Sequence, residues 1–432
     1  MNRKEAEEYL LNIPRFAKKT THENLRGYLK LLGNPQDRIP AVHVAGTNGK
    51  GSVCAFLTAI LEQKDCRVGV FTSPHLVRMN ERFRIGRTVI SDEDFERAFG
   101  QVYEVVRIGM EQGLIHPNFF EFLFMMAACY YAESKVDLVI YETGLGGRLD
   151  ATNVLQPVLT VITSIGMDHM EYLGDTIEKI AGEKAGIIKT GVPCVYLDRP
   201  EEAAQVIEQV GDRMHTPLIR VEKERITIKE IGEETIDFSY GSQYDREYRI
   251  PKTALYQTEN AMLAVRAAEY LLRQGAGPDA EAEIQDVIRT GLQVMKWAGR
   301  MEELEPGIYV DGAHNEPAIR AFCDTVSGLY ADKDIILVFA VASDKQYNKM
   351  IHILCGSLPL QQVIVTSIGG KRATPLEIVE EEFKRNTEAV VRTIPEPGQA
   401  LKAARQLLTG HSRVFCVGSL YLVGELEAEK ED

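Results

Sequence analysis

The chain has 432 residues, 45% apolar and 26% charged, a balance typical of soluble globular proteins that excludes a disordered or fibrous chain. Its 49 basic and 63 acidic residues leave a net charge of −14, which argues against a nucleic-acid partner, because neutralising phosphates takes clustered Lys and Arg. At roughly 100–200 residues per domain, the length predicts two to four domains.

The N-terminus opens with charged residues and has no apolar core of a secretory signal. From residue 41 onward, short apolar runs alternate with stretches of helical period. Strands are expected at 41–44, 67–71, 136–141, 158–163 and 192–196, and Val53, Phe56, Leu57, Ile60 and Leu61 are spaced for one helix face. Such alternation predicts βαβ units and a mainly parallel sheet. The most apolar stretch, 119–132, carries Glu121 and is shorter than the ~20 residues that span a bilayer.

Residues 217–250 differ: charges alternate with Ile, Phe and Tyr, as in half-exposed antiparallel strands, and two helical patterns follow. A second alternating series, with strands at 308–310, 335–340, 363–366 and 414–417, predicts a Rossmann-like α/β domain. The boundary is placed at 297/298, where a helical pattern stops at an Ala-Gly step, giving domains 1–297 and 298–432 that face each other across a cleft. Seven scattered cysteines without a C-x-x-C pair read as buried free thiols in a reducing compartment, which with the missing signal predicts a cytoplasmic protein.

The strongest local signal is Thr47-Asn48-Gly49-Lys50-Gly51-Ser52, preceded by Gly46 and lying between a strand and a helix. Glycines let successive backbone N–H groups curl toward a phosphate, the helix N-terminus adds partial positive charge and Lys50 a full one. Ser52 is the natural hydroxyl for Mg²⁺, which such sites bind together with substrate phosphates. The spacing departs from the standard phosphate loop, because Gly51 separates the lysine from the serine. An ordinary Gly-rich turn is the alternative.

Further along, an apolar strand ends in Glu142, where a carboxylate at the carboxyl edge of a parallel sheet can hold a metal directly or through water. The next run, Gly144 to Asn153, contains three glycines and several polar residues, suited to close ligand approach. His169, after the following strand, is open to three readings: metal ligand, general base or surface residue. From spacing alone Lys184 reads as a solvated lysine, and Asn260, Arg300 and Asp311 as surface or capping residues.

The segments HVAGTNGKGS, TSPHL, YETGLGGRLDATN, TSIGMDHMEYLGDT, IAGEKAGIIK, GRMEELEPGIYVDGAHN and VGSLYL, in this order over residues 20–425, resemble the folylpolyglutamate synthase and dihydrofolate synthase family of Mur-type ATP-dependent amide ligases. The resemblance implies an ADP-forming ligase that joins a folate carboxylate to the amine of L-glutamate, with ATP as co-substrate. It implies that Thr47, Asn48, Gly49, Lys50, Gly51 and Ser52 hold the ATP phosphates, and that Asn260, Arg300, Asp311 and His314 contact the nucleotide. Ser52, Ser73, Glu142 and His169 would ligate Mg²⁺, and a monovalent cation such as K⁺ is a further candidate. Lys184 would be the lysine that this family carbamylates with CO₂, so the catalytic set is Lys50, Glu142, His169 and Lys184.

The folate side would comprise Asn118, Phe119, Phe120, Glu121, Leu149, Asp150 and Ala151, with core packing as the other reading of the two phenylalanines. Residues 343–345 and 371–372 are weaker candidates for glutamate or phosphate. The chain departs from the family pattern at Ala298, which stands where Pro is usual, and at Glu316, which precedes Pro317. Around Thr21, His22 and Arg26 the loop that binds dihydropteroate in bifunctional members does not align, which leaves that second substrate open. Partners are expected to be small molecules, with no nucleic acid or membrane, and the family suggests a monomer. A Mur-type ligase for another acid and a phosphate-loop regulatory ATPase are the alternatives.

Overall fold

A computed structural model describes residues 2–13, 21–241, 246–277, 279–369 and 372–431. The chain divides into two compact units. The first comprises Met1–Lys229, Asp237–Pro251 and Thr258–Met295, and the second Glu230–Ile236, Lys252–Gln257 and Lys296–Asp432. The elements from α1 to α10 run α1 (Arg3–Asn12), α2 (His22–Leu31), β1 (Ala41–Ala45), α3 (Lys50–Leu61), β2 (Val68–Phe71), β3 (Phe83–Ile85), β4 (Thr88–Val89), α4 (Asp92–Glu111), α5 (Phe119–Glu133), β5 (Leu138–Glu142), β6 (Leu159–Ile162), α6 (Met170–Leu173), α7 (Ile177–Ala185), β7 (Cys194–Leu197), α8 (Glu201–Arg213), β8 (Leu218–Val221), β9 (Ile226–Ile231), β10 (Thr235–Tyr240), β11 (Arg246–Pro251), α9 (Gln257–Arg273) and α10 (Glu281–Gln293).

Eight strands form one sheet in the order β4-β3-β2-β5-β1-β6-β7-β8, parallel except where β3 pairs with β2 and β4. Strand β1 is buried along its whole length because helices cover both faces of a parallel sheet. Helix α5 is apolar nearly all round and lies in a core with α4 and the aromatic residues Phe71, Phe83 and Tyr141. Its start is set by Asn118, whose side chain accepts from the Phe120 and Glu121 amides while Glu121 accepts from the Asn118 amide. A second core on the other face joins Ala45 and Ile162 to the apolar sides of α7 and α8.

The register decides where function can sit. Val44 lies beside Glu142, and Ala45 beside Ile162. Chain connections leave β1 in opposite directions, toward β2 and β5 on one side and β6 on the other, so its carboxyl end is a topological switch point. One strand departs from the sequence expectation: Leu218–Val221 is not antiparallel but runs parallel to β7 as the edge of the large sheet. The antiparallel sheet is β11-β10-β9 and starts only at Ile226.

The second series comprises β12 (Glu302–Glu305), β13 (Ile308–Val310), α11 (Glu316–Leu329), β14 (Asp334–Phe339), α12 (Tyr347–Ser357), β15 (Leu360–Val365), α13 (Leu376–Asn386), β16 (Val390–Thr393), α14 (Pro397–Leu407), β17 (Ser412–Val417) and α15 (Leu420–Glu431). Its sheet order is β12-β13-β17-β14-β15-β16, parallel except for β12 against β13. Pro317 falls in the first turn of α11, where its missing N–H costs nothing.

No disulfide occurs among the seven cysteines. Five are buried as expected, but Cys66 and Cys355 are partly exposed. Among the described residues, no helix is long and apolar enough to cross a membrane.

Candidate functional site

The loop after β1 is held from the side by the segment that follows β6. The Thr47 amide donates to Ser164 O (2.8 Å), the Thr163 and Ser164 hydroxyls donate to Asn48 O (2.7 and 3.1 Å), and the Thr47 hydroxyl donates to Gly166 O (3.1 Å). Two glycines are required by this packing. A Cβ on Gly46 would stand 1.8 Å from Thr163 Oγ1, and one on Gly49 would stand 2.2 Å from Asn260 Oδ1. Gly49 also has φ +85°, a left-handed conformation that side chains rarely adopt. Asn260 is thus buried against the loop from α9, not a surface residue as spacing alone suggests. Gly49→Ala is expected to keep the fold and strain this turn; if the loop holds nucleotide phosphates as the resemblance implies, ADP affinity in titration calorimetry falls by at least roughly tenfold.

Three charged side chains converge on this loop. Lys50 Nζ donates to Gly46 O (3.2 Å) and Thr47 O (3.3 Å) and lies 3.8 Å from Glu142 Oε1. Glu142 is buried, and its other oxygen accepts from the Ser73 amide at 3.1 Å. Lys184 is 3% exposed and its Nζ donates to Gly46 O at 2.8 Å. The solvated reading of Lys184 is therefore wrong: α7 aims it inward, beneath the loop after β1. Burial and the neighbouring Lys50 cation pull its pKa from 10.5 down to about 7, against opposing pulls from Asp168 and Asp150.

Ser52 is buried in the first turn of α3. His169 has a 39% exposed side chain, a left-handed backbone at φ 49° and Asp168 Oδ2 at 3.8 Å from Nε2. Among the described residues no three His, Cys, Asp or Glu side chains converge as a metal cage. The oxygen donors of Ser52 and Glu142 fit Mg²⁺ nonetheless, because this ion takes hard oxygen ligands and is usually held by one or two carboxylates plus phosphates and water.

The run from Gly144 to Asn153 wraps back against α5 and α7. A Cβ on Gly144 would meet the Phe120 ring at 2.8 Å, and one on Gly147 would meet Lys184 O at 2.9 Å. Of the two phenylalanines, Phe119 is in the core beneath the Arg82 guanidinium, whereas Phe120 is half-buried and borders the loop. Asp150 is buried, and its carboxylate accepts from the Gly144 and Leu145 amides (both 2.9 Å) and from the Thr152 amide (3.0 Å) and hydroxyl (2.5 Å). Asn118 and Glu121 serve the α5 cap, Ala151 is buried, and Leu149 is 54% exposed.

Within the second unit, Asp311 follows β13 and is 1% exposed, which corrects its surface reading. Its carboxylate accepts from Tyr256 Oη (2.9 Å) and from the Met301 (2.9 Å) and Ala313 (2.8 Å) amides. Burial raises its pKa, while the nearby Arg300 guanidinium opposes the shift. His314 Nδ1 bonds Gly312 O at 2.7 Å. At the ends of β14 and β15, Arg372 makes a bidentate pair with Asp344 (2.8 Å to each oxygen) and donates to Tyr421 Oη at 3.1 Å. Its neighbour Lys371 lies outside the described residues. Tyr256, which joins Asp311, carried no signal in the sequence.

The Mur ligase middle domain matches residues 44–268 and the Mur ligase glutamate ligase domain residues 299–420. The chain is 39% identical over 406 residues, 91% of each chain, to the dihydrofolate synthase/folylpolyglutamate synthase of Bacillus subtilis. It belongs to the folylpolyglutamate synthase/dihydrofolate synthase family. Folylpolyglutamate synthase of Lacticaseibacillus casei is 31% identical, covering 98% of this chain and 97% of its own. Among solved members of the family, Mycobacterium tuberculosis folylpolyglutamate synthase complexed with ADP superimposes with TM-score 0.88 at 27% identity, covering 99% and 98% of the two chains. E. coli FolC in complex with DHPP and ADP gives 0.84 at 26% identity, covering 100% and 98%.

Proposed function

We propose that this chain is an ATP-dependent, ADP-forming ligase that activates a folate carboxylate as an acyl phosphate and couples it to the amine of L-glutamate. The observation that carries this reading is the convergence of Lys50, Glu142 and Lys184 on the phosphate loop at the sheet's switch point, in a chain of this family.

A carboxylate does not condense with an amine at neutral pH, because oxide is too poor a leaving group. Transfer of the ATP γ-phosphoryl group to the carboxylate oxygen releases ADP and leaves an acyl phosphate. The glutamate nitrogen then attacks the acyl carbon, the C–O bond to phosphate breaks, and amide, inorganic phosphate and a proton result. In the first step the protein mainly positions groups and neutralises charge. Lys50 and the amides of residues 47–52 serve the phosphates, with Asn260 beside Gly49. Ser52, Ser73, Glu142 and His169 are the residues that would hold Mg²⁺, whose role when bound is to neutralise phosphate charge. Arg300 is the second unit's candidate phosphate cation, and Asp344 and Arg372 its candidate partners for the amine and carboxylate of glutamate.

Lys184 deepens the picture. A pKa of about 7 leaves a large share of neutral amine at physiological pH, and only that form attacks CO₂ to give a carbamate. We assign Lys184 that modification, which turns a buried cation beside Lys50 into an anion. Phe120 and the 144–151 loop supply the aromatic wall and polar edge that a pterin-sized ring needs.

The test is ADP release by the purified protein with Mg²⁺, ATP and L-glutamate, comparing tetrahydrofolate with dihydropteroate. Release that depends on tetrahydrofolate supports the reading, and release that ignores both acceptors replaces it with a regulatory ATPase. Turnover of dihydropteroate would add the dihydrofolate synthase activity.

A further inference from the structure

His43 lies in β1, two residues before the strand ends, and is 0% exposed. Its Nε2 is 2.7 Å from Thr152 Oγ1, and Thr152 Oγ1 is 2.5 Å from Asp150 Oδ1. The direction of this chain follows from the groups at its far end. Both Asp150 oxygens face backbone N–H groups, from Gly144 and Leu145 on one side and Thr152 on the other, so the carboxylate is the acceptor. The Thr152 hydroxyl therefore donates to Asp150 and accepts from His43, which fixes the proton on Nε2. The bare Nδ1 is buried without a hydrogen-bond partner. Burial, helped by Lys189, lowers the His43 pKa to about 3, so the ring stays neutral at any working pH.

The network joins the strand that leads into the loop after β1 to a carboxylate that acts on Lys184 electrostatically. His43 stands on the strand that leads into Gly46, and Asp150 is one of the charges felt by Lys184, whose Nζ donates to Gly46 O. Between them, Asp150 sets the turn at Gly144 that rests on the Phe120 ring. A second donor, His22, bonds the Asp150 carbonyl at 2.9 Å.

We infer that His43 is a positioning residue for the acceptor substrate: through Thr152 and Asp150 it holds the 144–152 loop at the height, relative to the phosphate loop, at which the acceptor carboxylate meets the ATP γ-phosphate. The inference rests on the folate-ligase reading. It touches no phosphate, so its loss shows in acceptor binding and not in nucleotide binding. A polar histidine in the centre of a parallel sheet, with one ring nitrogen orphaned, costs stability. An apolar residue of that size would pack there more cheaply.

The test compares His43→Leu, His43→Gln and Thr152→Val, each in the full chain. Glutamine can place an amide N–H near the Nε2 position, and leucine cannot. Expected for His43→Leu is a rise of about tenfold or more in KM for the folate acceptor, since small misplacements at a reacting centre carry large costs, with KM for ATP and ADP affinity within about twofold of the parent. His43→Gln is expected to recover most of the loss and Thr152→Val to reproduce it, which keeps the test open should His43→Leu not fold. Hydrogen exchange at the Gly144 and Leu145 amides, a readout that needs no substrate, should quicken in His43→Leu and Thr152→Val and slow again in His43→Gln. The inference is overturned if exchange at those amides is unchanged, if the KM values for ATP and folate rise together, or if His43→Gln fails as fully as His43→Leu. Absence of folate-dependent ADP release in the parent itself would instead remove the folate-ligase reading, leaving the exchange result to judge the network.

Discussion

A Lys184→Ala enzyme is expected to release ADP in response to folate roughly 10²–10³-fold more slowly than the parent, the usual cost of removing one charged group from a site that stabilises developing charge. The side chain is enclosed by protein, close to Lys50 and donating to Gly46 O, so its removal leaves a hole that water or a small anion can enter. Formate or acetate at high concentration should then restore part of the activity, because either supplies a carboxylate in place of the proposed carbamate. The pH dependence has a definite sign. Below about 7 the side chain is ammonium, which has no lone pair for CO₂. Above it the amine dominates, so stimulation of the parent by bicarbonate should grow between pH 6 and pH 8 and be absent from Lys184→Ala. Turnover by Lys184→Ala at the parental rate would remove Lys184 from the mechanism.

Lys50→Ala is expected to lower kcat/KM for ATP by roughly 10²–10³-fold with little change in thermal stability. Stability should hold because Lys50 is only partly buried, and of its partners Gly46 O also accepts from Lys184 and Glu142 also accepts from the Ser73 amide. Lys50→Arg should recover little, since a planar guanidinium on a longer stem does not replace a compact ammonium among backbone carbonyls. Initial rates across an ATP series distinguish these outcomes, and parental activity in Lys50→Ala would remove phosphoryl transfer from this loop.

The parallel core was readable because its strands are apolar on both faces and its turns carry glycine: residues 41–45 and 138–142 are runs no solvent-facing strand would show. Among the strands that went unread are two where charge and exposure hide the pattern. Glu302–Glu305 is mostly acidic, and Val390–Thr393 is an edge strand with half its residues exposed. Leu218–Val221 resembled its antiparallel successors because an edge strand of a parallel sheet is half-solvated too. At the site, residue type marked the Gly-rich loop after β1 and Glu142 as candidates, but burial cannot be counted from spacing. Lys184, Asn260 and Asp311 looked like surface groups because what encloses them comes from residues distant in the chain. His43 gave no signal at all, since a histidine inside an apolar strand shows its purpose only when Thr152 is found beside it.

The cysteine distribution offers an experimental handle. The two partly exposed thiols, Cys66 and Cys355, fall one in each compact unit, while the other five are shielded. Burial raises the pKa of both, Cys355 to about 11, so alkylation will be slow but confined to these two sulfurs. A donor dye on one and an acceptor on the other place one label on each compact unit of the natural chain without adding a residue, and energy transfer between them reports any change in their separation.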